Sequence, residues 1–381
     1  MKKKELFIII YTITILLSVM YATQPIQPLL AKEFDISIVE ASSFTAVIML
    51  FLAIAPIIYG YILEHVSAKK VLLIASFVLF ITNIILSFSN TYEMFLFTRT
   101  TEAVVIPAIL TASMTILASD KENIKFNMSI YVASTVFGGL VGRVMSGFIA
   151  TEFGWRAVFI SLSFALLVGI LFIKKLDFQG ESNITKPKIK DIVTILQDKR
   201  FVVIYSLMFI VFFVFAGLLN ILPFKMKAEF PDVSETQIGL LYLGYGVGIV
   251  VSLNIHKIIN YFQKELKTIL FGILIFMITT LFFLFSNPYV VFMMVFVFCF
   301  GMFTIHTVAT RLANSLKESQ KALTSGMYLS FYYIGGAVGS IIPPFIYSEY
   351  GWNNTIYLFV FLLLISFFLV FSNKNLFKAY N

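Results

Sequence analysis

A single cysteine, Cys299, in 381 residues excludes an intrachain disulfide and any metal site built from paired thiolates, so no metal is expected. Charge is scarce as well: Asp, Glu, Lys and Arg make up 13% of the chain, against about 25% in soluble domains. There is no GxxxxGK[ST] phosphate loop, no HExxH and no nucleophile elbow. ATP drive within the chain, zinc hydrolysis and serine-type hydrolysis therefore have no motif to rest on, and neither an enzyme nor a cofactor is expected. What is abundant is apolar surface, with 59% hydrophobic residues arranged in runs long enough to cross a bilayer.

Those runs are continuous rather than alternating, which selects helices over a barrel, because hydrocarbon leaves backbone groups no partner but their own segment. Twelve spans are predicted: 6–30, 41–63, 71–88, 94–118, 126–150 and 155–173, then 201–224, 238–259, 268–285, 290–312, 323–347 and 355–371. The first is too long for a secretory h-region and lacks a small-residue cleavage site, so it reads as a retained helix.

Lysine and arginine orient the spans, since positive loops stay cytoplasmic. With the N-terminus inside, 21 of the 28 fall in cytoplasmic segments and four (Lys32, Arg156, Lys225, Lys227) on the other side, while Arg99, Arg143 and Arg311 lie within spans. Both termini are thus predicted to be cytoplasmic, and the formal net charge of +8 faces an anionic leaflet rather than a nucleic acid. The lysine-rich interruption at 174–200 divides the chain into a six-helix bundle at 1–173, a cytoplasmic linker and a second bundle at 201–381.

The halves repeat. At an offset of 197 residues, 131–155 (YVASTVFGGLVGRVMSGFIATEFGW) and 328–352 (YLSFYYIGGAVGSIIPPFIYSEYGW) agree at ten of 25 positions, including paired glycines and the EFGW and EYGW ends. The offset spans six helices, an even number, which makes the repeats parallel about an axis along the membrane normal. Two similar bundles flanking a cleft can rock and expose a mid-depth site to each side in turn, an architecture suited to carrying a solute. Gly138 and Gly142, Gly335 and Gly339, and Gly244 with Gly248 form small-residue ladders where helices approach closely.

Six segments tie these observations to a known group. The loop after the second span reads GYILEHVSAKK, with Gly60, Lys69 and Lys70 at positions of a GxxxDxxGRK signature and Glu64 in place of its aspartate. The fourth span carries Arg99 and Glu102 in an RxxQG-like setting, and the fifth reads GGLVGRVMSG, close to GxxxGPxxGG but with Arg143 at the proline. On these residues the chain resembles the major facilitator superfamily over essentially its whole length. YATQPIQPLL, HTVA and YLSFYYIGG make it similar to the acriflavin-sensitivity (YnfM-like) subgroup of efflux permeases. The resemblance implies an all-α membrane fold of two pseudo-symmetric bundles in a bacterial inner membrane. It also implies that 60–70 is a conformational-switch loop and that the Arg99 position takes part in proton coupling.

An ionised side chain at bilayer depth is expensive unless paired or wet, so each one needs an account. Arg99 and Glu102, one turn apart, read either as a self-neutralising ion pair or as a proton carrier with its tuner. Arg143 has Ser340 as its counterpart in the repeat, so packing alone does not demand a charge there. It reads as a substrate-binding or gating group, or as a ligand of freed carbonyls. His306 is either a structural hydrogen-bonding group or a switch. Pro25 and Pro28 are expected to bend the first span near its outer end, and Tyr21, Gln24 and Gln27 beside them could line a site or sit at an interface. The expectation is a monomeric secondary transporter that moves a small molecule, with protons, in the efflux direction. A proton-coupled importer or facilitator of a polar or anionic solute is the alternative, and a transport-dead sensor a remoter one.

Overall fold

The computed structural model describes residues 2–177, 189–317 and 320–380, and among them the ordered backbone is helical with no strand. The first span is composite: α1 (Lys3–Tyr21), a 3-10 turn (Gln24–Ile26) and α2 (Gln27–Glu33). Five more follow as α3 (Ile38–His65), α4 (Ala68–Ser87), α5 (Tyr92–Ser119), α6 (Ile124–Phe153) and α7 (Trp155–Lys174). A short linker helix, α8 (Ile189–Gln197), leads to the seventh span, α9 (Lys199–Glu229). The eighth is again composite: α10 (Glu235–Leu241), a 3-10 turn (Tyr242–Gly246) and α11 (Val247–Phe262). The ninth and tenth are α12 (Glu265–Phe282) and α13 (Pro288–Ser315). Then come α14 (Lys321–Gly339) and α15 (Ile342–Ser372), the latter bent at Gly351, so that α14 with the start of α15 is the eleventh span and the remainder the twelfth.

All twelve predicted spans fall on these helices. Most ends shift outward because helices continue past the apolar run into the interface, as where Lys225 and Glu229 pair across one turn at the end of α9, whereas α4 and α12 stop at Ser87 and Phe282, short of the predicted 88 and 285. Several starts are fixed by polar caps. Ser37 and Glu40 form a capping box for α3, Ser234 accepts from Gln237 N at 3.2 Å, and Asn287 accepts from Tyr289 N and Val290 N. Large apolar side chains such as Phe77, Phe97, Phe164 and Phe368 are exposed, the surface that lipid covers.

Contacts divide the chain into two compact units, Met1–Lys186 with Phe230–Tyr242, and Pro187–Glu229 with Leu243–Asn381. Each unit packs its first span on its fifth in the same way. In the first, a methyl at Gly138 would lie 2.5 Å from Thr14 O, and one at Gly142 would overlap the Ser18 backbone. In the second, Gly335 and Gly339 press on the backbone of Phe209 and Phe213. Ser18 Oγ crosses the first contact to donate to Gly138 O at 3.1 Å. The repeat thus records a packing requirement, backbone against backbone, that only glycine meets. The ladder of the eighth span faces α13, with Gly244 against Val295 and Gly248 against the Phe303 ring.

The EFGW and EYGW ends have equivalent geometry too. Gly154 (φ +84°) and Gly351 (φ +83°) each turn the chain in one residue, in a conformation that a Cβ would strain, before a buried tryptophan. The two tryptophans differ in polar partner: Trp352 Nε1 donates to Phe283 O at 2.7 Å, whereas Trp155 packs among Phe34, Phe95 and Phe159.

Candidate functional site

In the first unit the predicted pair Arg99 and Glu102 is completely buried, with Arg99 Nη1 to Glu102 Oε2 at 2.6 Å. Both groups have further partners. Thr82 Oγ1 (3.1 Å) and Asn83 Nδ2 (2.7 Å), side by side on α4, donate to Glu102 Oε1. Arg99 turns Nη1 and Nη2 to the end of α1, to Val19 O at 3.1 Å and Met20 O at 2.6 Å, and Nε to Phe44 O on α3 in a longer contact of 3.4 Å. An unbroken helix would offer those two α1 carbonyls to the N–H groups of residues 23 and 24. Because α1 stops at Tyr21 they are released, and a guanidinium, with five donors in a fixed fork, is suited to take them up.

The break itself follows from Pro25 and Pro28, which lack an N–H to return to Tyr21 O and Gln24 O. The sequence places the bend at those prolines, whereas the helix already ends at Tyr21, because a proline ring also crowds the carbonyl of the preceding turn.

Arg143 on α6 approaches the same break from another side. Its Nε donates to Gln24 Oε1 at 2.6 Å and its Nη1 to Gly139 O at 2.9 Å, and its guanidinium lies 3.7 Å from the centre of the Tyr21 ring. The Tyr242 ring, in the Phe230–Tyr242 segment that groups with this unit, is 5.2 Å away, and Gly239 of that segment abuts Arg143 O. Arg143 is 2% exposed.

Of the residues singled out in the sequence, the structure therefore joins Arg99 with Glu102, and Arg143 with Tyr21 and Gln24. Gln27 belongs to neither group, since its Nε2 donates to Thr45 Oγ1 on α3 at 2.9 Å. Lys69 ties the second loop to the end of α7 by donating to Lys174 O and Leu176 O, and Lys70 is exposed. The side chains of Gly60 and Glu64 fall outside the described residues. Thr82, Asn83 and Tyr242 were missed by sequence reasoning. The adjacent Thr82 and Asn83 in an otherwise apolar span are the one signal that could have found the first two.

The second unit has a different character. His306 is part-buried on α13, with Nδ1 at 2.9 Å from Tyr328 Oη, and Tyr328 also contacts His306 O at 3.2 Å. Tyr332 stacks on Phe212 and lies 4.9 Å from the imidazole. At the position equivalent to Arg143, Ser340 follows the last residue of α14 and its carbonyl accepts from Asn220 Nδ2 at 3.4 Å. Arg311 lies near the exposed end of α13, paired with Glu265 at 2.9 Å.

Twelve spans in two six-helix bundles, with ionised groups buried inside one of them, define the class of polytopic membrane transporters. The Major Facilitator Superfamily model matches residues 7–314 and 209–376, and the chain belongs to that superfamily. It is 24% identical over 344 residues to the inner membrane transport protein YnfM of Escherichia coli strain K12, covering 88% of this chain and 82% of that one. It is 21% identical over 361 residues to the MFS-type transporter YybF of Bacillus subtilis strain 168, covering 92% and 89%. Among solved structures, a bacterial homologue of the human lysosomal transporter Spinster, in an inward-facing and unoccupied conformation, superposes with a TM-score of 0.83 at 12% identity, covering 100% of this chain and 99% of that one. A point mutant of the nucleoside transporter NupG gives 0.81 at 13% identity, covering 98% and 99%. At such identities these structures bear on the fold alone.

Proposed function

We propose that this transporter exports a small molecule in exchange for protons, with Glu102 taking up and releasing the proton and Arg99 tuning it. The observation that carries the reading is the burial of Glu102 against Arg99, Thr82 and Asn83, a carboxylate held at depth where an ion is expensive without a task or a partner. Arg99 alone would neutralise it. The two neutral donors from α4 both reach Oε1, so that oxygen keeps its partners whether or not Oε2 carries a proton.

In this reading the halves at 1–173 and 201–381 rock about the 174–200 linker, and the loop from Gly60 to Lys70 acts as the switch. Both termini lie in the cytoplasm of a bacterium, the membrane is the inner one, and the working unit is a monomer without cofactor, metal or nucleic acid. Arg143, Gln24 and Tyr21 contact the substrate or gate its path, with Gln27 and His306 as secondary contributors. The name of the Escherichia coli relative, an inner membrane transport protein, supports the location. The subgroup resemblance supports the direction.

A second reading, uptake of a small polar or anionic solute, is favoured by one observation, a buried guanidinium at Arg143 seated on the Tyr21 ring and Gln24. Inverted vesicles separate the two. A panel of neutral, cationic and anionic compounds is offered against an imposed pH gradient. Export by antiport predicts compound-evoked decay of the gradient that Glu102→Gln abolishes. Coupled transport of undiminished rate by Glu102→Gln would remove the proton role, and anion-selective movement without gradient decay would favour the second reading.

A further inference from the structure

The first span is broken between two arginines that reach it from different helices. On one side Arg99 of α5 takes Val19 O and Met20 O. On the other, Arg143 of α6 takes the Gln24 side chain and lies on the Tyr21 ring. The two grips are adjacent in the chain: Met20 O belongs to the peptide that leads into Tyr21. Upstream, α1 is fixed against α6 by the glycine contacts at Thr14 and Ser18, where no side chain intervenes to give. Downstream, α2 is tied to α3 through Gln27 and Thr45. The part of the span that can yield is the stretch at Tyr21–Gln24.

We infer that this break transmits the state of Glu102 to Arg143, with Tyr21 and Gln24 as the positioning residues. The inference rests on the proton role proposed for Glu102. The charged group facing Glu102 is Arg99, from its own helix; α4 contributes the neutral Thr82 and Asn83, and α1 contributes backbone carbonyls to Arg99. Neutralising Glu102 leaves a buried guanidinium facing only neutral acceptors, backbone carbonyls and a long contact to Thr23 Oγ1, an arrangement that is strongly unfavourable. The guanidinium relieves it by moving toward water and letting go of Val19 O and Met20 O. Those carbonyls must then find other donors, which shifts Tyr21 and Gln24, and Arg143 loses the Gln24 acceptor and the Tyr21 ring while it keeps Gly139 O and the Tyr242 ring. A proton at one buried cluster thereby reorients a cation at another, with no side-chain contact between Glu102 and Arg143 required.

Hydrogen exchange read by mass spectrometry on the full-length protein in lipid nanodiscs tests this without a substrate. Peptides covering 19–27 should exchange about tenfold faster in Glu102→Gln than in the wild type. Peptides covering 139–147 should follow in Glu102→Gln but not in Glu102→Gln/Gln24→Leu, where the link to Arg143 is cut. In the wild type, exchange at 19–27, corrected for intrinsic pH dependence, should rise on acidification and be flat in Glu102→Gln. This titration keeps the idea testable if that variant folds poorly. Equal exchange at 19–27 in both proteins, or a flat wild-type titration, overturns the inference, as does a response at 139–147 that survives Gln24→Leu. If vesicle transport is lost in Glu102→Gln while 19–27 does not respond, the linkage fails and the proton role stands. If the break responds while transport stays coupled, the proton role fails instead.

Discussion

The two bundles share their packing and differ in what they bury. Both lay a glycine ladder of the fifth span on the backbone of the first, and both turn at a single left-handed glycine before a tryptophan. Yet the first buries Arg99, Glu102 and Arg143, whereas the second gathers an aromatic cluster, Phe212, Tyr332 and Tyr328, beside His306. Where Arg143 stands in one, α14 ends and Ser340 follows in the other. Helix approach tolerates little change, so it is alike in both; the polar interior is free to diverge, and the divergence is where a task is to be sought.

This comparison can be broken by measuring thermal unfolding of variants in detergent. The largest effect is expected for Arg99→Ala, which strands a buried carboxylate and should cost about 3–5 kcal/mol; a loss under about 1 kcal/mol would mean that Glu102 is already neutral or wet. Next come Gly142→Val and Gly339→Val, which drive a side chain into the backbone of Ser18 and Phe213 and should cost about 1–3 kcal/mol each. Similar losses in the two would sharpen the claim of shared packing, and tolerance of one alone would break it. His306→Phe removes one partner of Tyr328, whose hydroxyl keeps its contact with His306 O, so about 1 kcal/mol is expected.

The smallest effect concerns the linker. Hydrogen bonds from Arg200 hold the Asp198 carboxyl below its usual range, so its stabilising contribution is present at neutral pH and fades as pH falls through that lowered value. Asp198→Asn should remove this acid sensitivity while costing under about 1 kcal/mol at pH 7, since both groups are about a third exposed.

The bundle architecture was legible because span length and charge asymmetry are properties of the chain alone, and the repeat because close backbone approach demands glycine at fixed spacing. The Arg99 and Glu102 pair was legible from its i, i+3 spacing on one helix. What escaped was everything that depends on a neighbour in space. Nothing in 71–88 says that Thr82 and Asn83, which also reach Leu79 O of their own helix, face Glu102. Nothing near Arg143 says that its partners lie 119 residues earlier, at Gln24. The bend in the first span was anticipated from its prolines, but its position at Tyr21, and the carbonyls it frees for Arg99, follow from packing.

The one-residue turns at Gly154 and Gly351 leave no spare chain between the rods they join. Whatever displacement the fifth rod makes at that end is imposed on the sixth, and likewise for the eleventh and twelfth, so each pair works as a single lever. Adding a few flexible residues after Gly154 would introduce slack between the two rods and let each move without the other.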